Sequence, residues 1–296
     1  TLLFIAYLGL DKKLDTQLAE QAGADASSGD EFKFSDLVKL ITDHSFIFIS
    51  LLCVAFYSAV FPFLQYAPDL LVNKFGFTYT LPDLSGASFF QRIGAYLTNG
   101  PKVSGLIPLG TIIFTPIFGR LVDAKGKAAS LMILGSVLLI YAHLTLSVMN
   151  NVVLGYTGLF ALGVAFSLVP AAMWPSVAKI VAENRLGTAY ATMFTIQNYG
   201  LSLFYFGIGK VLDMVNPTTV NQMAAAREKF ADAGLSPEQI SAEIDLMRAS
   251  GEIATYNYTI PILMLVALGV VSIYLAFLLK RADKRQNYGL ERPSGQ

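Results

Sequence analysis

The sequence has little charge, few histidines and almost no cysteine. Asp, Glu, Lys and Arg make up 14% of its 296 residues, where a soluble domain carries roughly 25%. The one cysteine, Cys53, lies inside an apolar run, so no disulfide can close within the chain and no cysteine-based metal site is available. The two histidines, His44 and His143, sit in different contexts. No nucleophile–base set and no metal-ligand spacing is visible, which argues against an enzyme and leaves no cofactor or metal expected. Lys+Arg and Asp+Glu both number 21, so there is no basic excess to attract nucleic acid.

What is present is hydrophobic: 54% of residues are apolar and the mean hydropathy is +0.54. Long stretches carry no charge and the charges collect between them, as expected of a chain whose solvent is mostly lipid. Six stretches are long enough to cross a bilayer as helices: 45–66, 103–122, 129–149, 152–178, 187–212 and 257–279. Residues 1–10 are apolar, with no basic residues before them and no small-residue cleavage site after them. They read as the tail of a truncated transmembrane helix rather than a signal peptide.

The segments between spans differ in character. Residues 11–44 read as a linker whose Phe32, Phe34, Leu37, Leu40 and Ile41 give a 3–4 spacing, the mark of an amphipathic helix on the membrane surface. Residues 67–102 form a long loop with Pro68, Pro82, Gly76 and Gly86, and Asn150–Asn151 is a tight turn that makes the third and fourth spans antiparallel neighbours. Residues 214–256 read as a soluble helical hairpin, with a Ser236-Pro237-Glu238-Gln239 helix start and with Gly234 and Gly251 as stops. Orientation follows from the cations. Lys12, Lys13, Lys33 and Lys39 precede the first full span, and Arg120, Lys125 and Lys127 follow the second. Lys179 and Arg185 follow the fourth, and Lys280, Arg281, Lys284, Arg285 and Arg292 end the chain. These segments, including the 283–296 tail, are expected to be cytoplasmic, and the loops at 67–102 and 214–256 to lie outside.

After the second span comes Gly119-Arg120-Leu121-Val122-Asp123-Ala124-Lys125-Gly126-Lys127. It resembles the G-x-L-x-D-x-x-G-[RK] loop signature of the major facilitator superfamily, with Ala124 where that family usually has Arg. The signature sits in the cytoplasmic loop between the second and third helix of a six-helix half, which agrees with the side read from charge. Gly126 suits a short turn, Gly119 is expected to let helices approach, and Asp123 to favour a following helix N-terminus. Trp174-Pro175-Ser176-Val177-Ala178, Leu186-Gly187-Thr188-Ala189-Tyr190 and Gln197-Asn198 resemble the branch holding lysosomal dipeptide transporters and their bacterial relatives.

The resemblance implies an all-α polytopic membrane protein, with residues 45–282 as the six-helix C-terminal half of a twelve-helix fold. Its partners would be the missing N-terminal six-helix half, the lipid bilayer and a small-molecule substrate, in a multi-pass protein of the bacterial plasma membrane. It would be a secondary transporter working by alternating access. A small peptide or other zwitterion is the expected cargo, with a sugar or organic anion as the alternative within transport and a membrane enzyme or scaffold outside it. The first, second, fourth and fifth full spans would line the cavity, and the third and sixth would face lipid. Candidate contacts are then Tyr57, Phe61 and Gln65 on one helix face, with Pro62 bending the helix. Phe166 and Trp174 flank Pro170 on a second span, and Tyr190, Phe194, Gln197 and Asn198 lie on a third. Ordinary packing competes for the aromatics, interhelical hydrogen bonding for Gln and Asn, and an interface anchor for Trp174. No Asp or Glu lies mid-span, and His143, the one ionisable group well inside, falls on a span expected to face lipid or the bundle edge, where a structural role is read ahead of a proton relay.

Overall fold

The computed structural model describes residues 34–293. Residues 1–10 and most of the linker therefore lie outside the described residues. Ten α-helices are described: α1 (Phe34–Thr42), α2 (His44–Phe75), α3 (Phe89–Leu97), α4 (Gly100–Lys125), α5 (Ala128–Val148), α6 (Val152–Ile180), α7 (Leu186–Val215), α8 (Pro217–Asp232), α9 (Pro237–Ser250) and α10 (Thr259–Gln286). A 3₁₀ turn (Glu183–Arg185) leads into α7.

Six of these helices have 21 to 32 residues. At 1.5 Å per residue each covers about 30 Å or more, the depth of a bilayer core. Five are also apolar enough to cross a membrane, namely α2, α4, α5, α6 and α10. The exception is α7, which is 30 residues long but interrupts its apolar positions with Thr, Gln, Asn and Tyr. The spans at 45–66 and 257–279 also shift. Pro62 and Pro68 are absorbed inside α2, which continues to Phe75 and stops at Gly76 in the left-handed region (φ 72°). At the other end, α10 begins only at Thr259 and carries its basic residues as further helical turns.

The bundle is organised around α2, which touches α4, α6, α7 and α10. In its most apolar stretch 67% of residues are buried, against 11% for α4, so α2 is core and α4 is periphery. Phe46, Ile49, Phe56, Phe63 and Leu70 of α2 are sealed from solvent. The α5–α6 pair packs closely, since a Cβ on Gly135 would stand 2.2 Å from Val169 and one on Gly158 would stand 2.3 Å from the Thr145 hydroxyl. Asn151 caps α6 by accepting from Val153 N–H (2.9 Å) and Leu154 N–H (3.2 Å), which fixes the turn between the pair. His143 does not face outward from α5. It is fully buried, edge-on to Phe63 at 5.3 Å, with Nδ1 donating to the Leu139 carbonyl at 2.9 Å.

Two local locks hold the ends of the bundle. At one end the Asp69 carboxylate of α2 accepts from Asn73 Nδ2 (2.8 Å), the Tyr79 and Tyr258 hydroxyls and the Arg248 guanidinium. One carboxylate thus ties α9, the loop after α2 and the start of α10 to the same point. The pair α8–α9 has its own small core of Ala226, Ile244 and Ile253. Ser236 and Gln239 form a reciprocal capping box at the start of α9. At the other end, Asn287 takes a left-handed conformation (φ 60°) and turns the chain after α10 back across the bundle. Leu290 is buried there, its carbonyl accepts from Ala128 N–H (2.9 Å), and Lys179 Nζ reaches the Gly289 carbonyl (3.0 Å).

Candidate functional site

The motif loop is built partly as its residue types suggest. Gly126 has φ 67° and ψ −135°, which only glycine adopts readily. A second constraint is tertiary: a Cβ there would stand 2.3 Å from the Arg292 carbonyl carbon. Lys127 follows in the left-handed region (φ 62°) and gives α5 no side-chain cap. Two expectations for the loop need correction. A Cβ on Gly119 would meet nothing within 4 Å, so close helix approach is not its role among the described residues, because α4 is peripheral there. Asp123 lies in the last turn of α4, not directly ahead of α5. The carboxylate at the α5 N-terminus is Glu291, which accepts from Ser130 N–H at 2.9 Å and Ser130 Oγ at 2.6 Å and pairs with Lys280 at 3.3 Å. Burial raises the Glu291 carboxyl pKa, but the bonds from Ser130 and the Lys280 ammonium outweigh it and bring the value below the ordinary 4.5.

Of the candidate contacts, six aromatics from three helices come together. On α2 the Tyr57 and Phe61 rings stack at 5.5 Å. Phe166 of α6 meets both edge-on, at 6.3 and 5.6 Å. Pro170, one turn along, denies the Phe166 carbonyl its usual helical donor. Trp174 of α6 joins the set. Its Nε1 donates to the Tyr57 hydroxyl at 3.0 Å, and its ring stacks on Phe194 of α7 at 4.9 Å. Tyr190 of α7 closes the group by donating its hydroxyl to the Trp174 carbonyl at 3.1 Å.

The three amides behave differently from one another. Gln197 is buried and accepts from Cys53 Sγ at 3.1 Å, which joins α7 to α2. Asn198 donates to the Phe194 carbonyl of its own helix at 2.8 Å and is exposed. Gln65 is exposed, two turns beyond Tyr57. Cys53 was absent from the sequence candidates, although it lies four residues before Tyr57 and so on the same helix face. The resulting surface is aromatic and mostly covered, with Tyr57 buried and Phe61, Phe166, Trp174 and Tyr190 partly buried, and none of these side chains is charged. Phe194 is 50% exposed and the neighbouring Tyr199 76%. Among the described residues no group of His, Cys, Asp and Glu is arranged to hold a metal.

The sequence matches a family of known proteins. The profile described as Major Facilitator Superfamily matches residues 1–205. The chain belongs to the major facilitator superfamily. Superfamily members similar to it include the lysosomal dipeptide transporter MFSD1 of Gallus gallus, 31% identical over 217 residues, or 71% of this chain and 42% of that protein. The Homo sapiens protein of the same name is 30% identical over 71% of this chain and 40% of its own length. That of Danio rerio is 30% identical over 69% and 39%. The chain thus spans about two-fifths of the length of these relatives. The superfamily membership makes it part of a multi-pass membrane protein.

Proposed function

We propose that this chain forms one wall of the solute cavity of a secondary transporter that works by alternating access. The observation that carries the reading is the aromatic set of Tyr57, Phe61, Phe166, Trp174, Tyr190 and Phe194, gathered from α2, α6 and α7 and reaching the surface at Phe194. The other wall would come from an N-terminal six-helix half. The ends bearing the motif loop and the last turns of α10 would face the cytoplasm, since the short loops there carry the Lys and Arg.

A small peptide or other zwitterion is the cargo we favour. Aromatic faces accept an ammonium group or an apolar side chain. A strongly anionic cargo would need a cation, and none of the candidate residues is one. The relatives named above carry dipeptides in their names, which points the same way. Coupling to protons, if present, would rest on the other half, since intramembrane carboxylates usually mark it and none is placed among the aromatic set. The bacterial plasma membrane is the compartment expected from the sequence resemblance, while the named relatives are lysosomal.

Uptake by the full-length protein in proteoliposomes tests this, with labelled dipeptides, single amino acids and a sugar offered with and without a pH gradient. Dipeptide uptake is expected, with Trp174→Ala lowering it about tenfold or more at low concentration. Accumulation of another solute alone would discard the peptide cargo.

A further inference from the structure

A second concave surface lies at the other flank of α2, away from the aromatic set. The last turns of α10 and the first turns of α2 enclose a groove of about 560 Å³, lined by His44, Ser45, Phe48, Leu278, Arg281 and Arg285. That volume is in the range of small-molecule sites. Tyr274, Leu278, Arg281 and Arg285 fall on one stripe of α10, so an apolar floor runs directly into two guanidinium groups. Tyr274 is 62% exposed, which leaves the apolar end of the stripe open. His44 and Phe48, with ring centroids 6.4 Å apart, stand on the opposite side.

Among the described residues the two guanidinium groups have no acidic partner. Asp43 is occupied in capping α2 through Ser45 N–H and Phe46 N–H. Asp283 is buried and accepts from Leu290 N–H at 2.9 Å. Asp36 pairs with Lys39 and Arg185, and Glu291 with Lys280. Among the described residues, neither Arg281 nor Arg285 has an ion-pair partner. Like charges four residues apart on a helix repel, and an anion between the groove walls relieves that repulsion. The Arg fork matches phosphate oxygens. The site sits where the apolar part of α10 meets its basic end, the depth of lipid headgroups.

We propose that this groove binds the phosphate of an anionic phospholipid, held by Arg281 and Arg285 with His44 opposite, while one acyl chain runs over Phe48, Leu278 and Tyr274. A lipid is favoured over a soluble phosphate because the floor is apolar and opens along the helix. The site is independent of which solute is transported.

The test uses the full-length protein in phosphatidylcholine nanodiscs with or without phosphatidylglycerol, with native mass spectrometry counting retained lipid. Wild type is expected to retain phosphatidylglycerol, and Arg281→Gln/Arg285→Gln to bind it about 10- to 30-fold more weakly. Lys284→Gln, which removes a charge outside the groove, is expected to retain it. Ala282 also lines the groove, so Ala282→Phe fills it at unchanged charge and is expected to displace the lipid, which separates site loss from misfolding in the double variant. Equal loss in Lys284→Gln would overturn the site in favour of diffuse attraction. Glycerophosphoglycerol binding as tightly as the whole lipid would overturn the lipid in favour of a soluble phosphate. No preference for phosphatidylglycerol in wild type would overturn the proposal.

Discussion

Gly126 and Glu291 form two sides of one joint, and each can be tested by a single substitution. Gly126→Ala adds a Cβ at a positive φ and drives it into the Arg292 backbone. We expect it to destabilise the protein by more than about 1 kcal/mol, read as a lower melting temperature in detergent. Gly119→Ala, with open space around it, should stay within about 0.5 kcal/mol. Glu291→Gln keeps the shape but removes the anion at the α5 N-terminus, and we expect a loss of about 1 kcal/mol near neutral pH. The folded pKa of Glu291 lies below its ordinary 4.5. Its contribution is therefore present above the unfolded value and disappears as pH falls through the folded one. Melting curves of wild type and Glu291→Gln should converge as pH drops below about 4.5. A difference that persists unchanged in acid would assign the effect to something other than the charge.

At the level of elements, the Asp69 lock decides how firmly the α8–α9 pair is held. Asp69 and Arg248 are each less than a fifth exposed, so their attraction is only partly screened. Asp69→Asn should weaken docking by about 1–3 kcal/mol and so speed protease cleavage between α8 and α9 roughly tenfold. The pair itself should remain helical, since Ala226, Ile244 and Ile253 pack within it. Unchanged cleavage would show that the lock does not bear on docking. Helix positions and the Gly126 turn were readable in the sequence because their causes are local: apolar length, a glycine, a capping Ser with Gln three residues on. Asp69 and Glu291 were not readable. Their decisive partners, Arg248 and Ser130, lie 179 and 161 residues away, and no periodicity reports on such a pairing. The aromatic set is an intermediate case. Spacing placed Tyr57 with Phe61, and Tyr190 with Phe194, on shared faces, but only the crossing of α2, α6 and α7 brings Trp174 between them. His143 lies on the inward face of α5, since a helix at the bundle edge still has one face turned inward.

For the molecule as a whole, the exposed faces of α4 and α7 are the dominant fact. Ile112, Ile113 and Ile117 on α4 and Tyr199, Leu203 and Phe206 on α7 are each more than half exposed. Such a surface needs lipid or another protein surface to cover it. A wall with one open side cannot seal a solute from both compartments in turn. The chain by itself in proteoliposomes is therefore expected to give no uptake above empty vesicles, and to gain activity when supplied with an N-terminal half. Robust uptake by the chain alone would refute the one-wall reading.

The Glu291 cap also sets an order of events during synthesis. Ser130, which it holds, leaves the ribosome 161 residues earlier. At translation rates of about 5–20 residues per second, α5 waits on the order of 8–30 s for its cap. During that interval α6, α7 and α10 are made and threaded while the turn at Gly126 has no strap across it. A transcript terminated just before Tyr288 would encode all six long helices described above and still leave that joint open, so quality-control proteases would meet a bundle with its helices made and its closure missing.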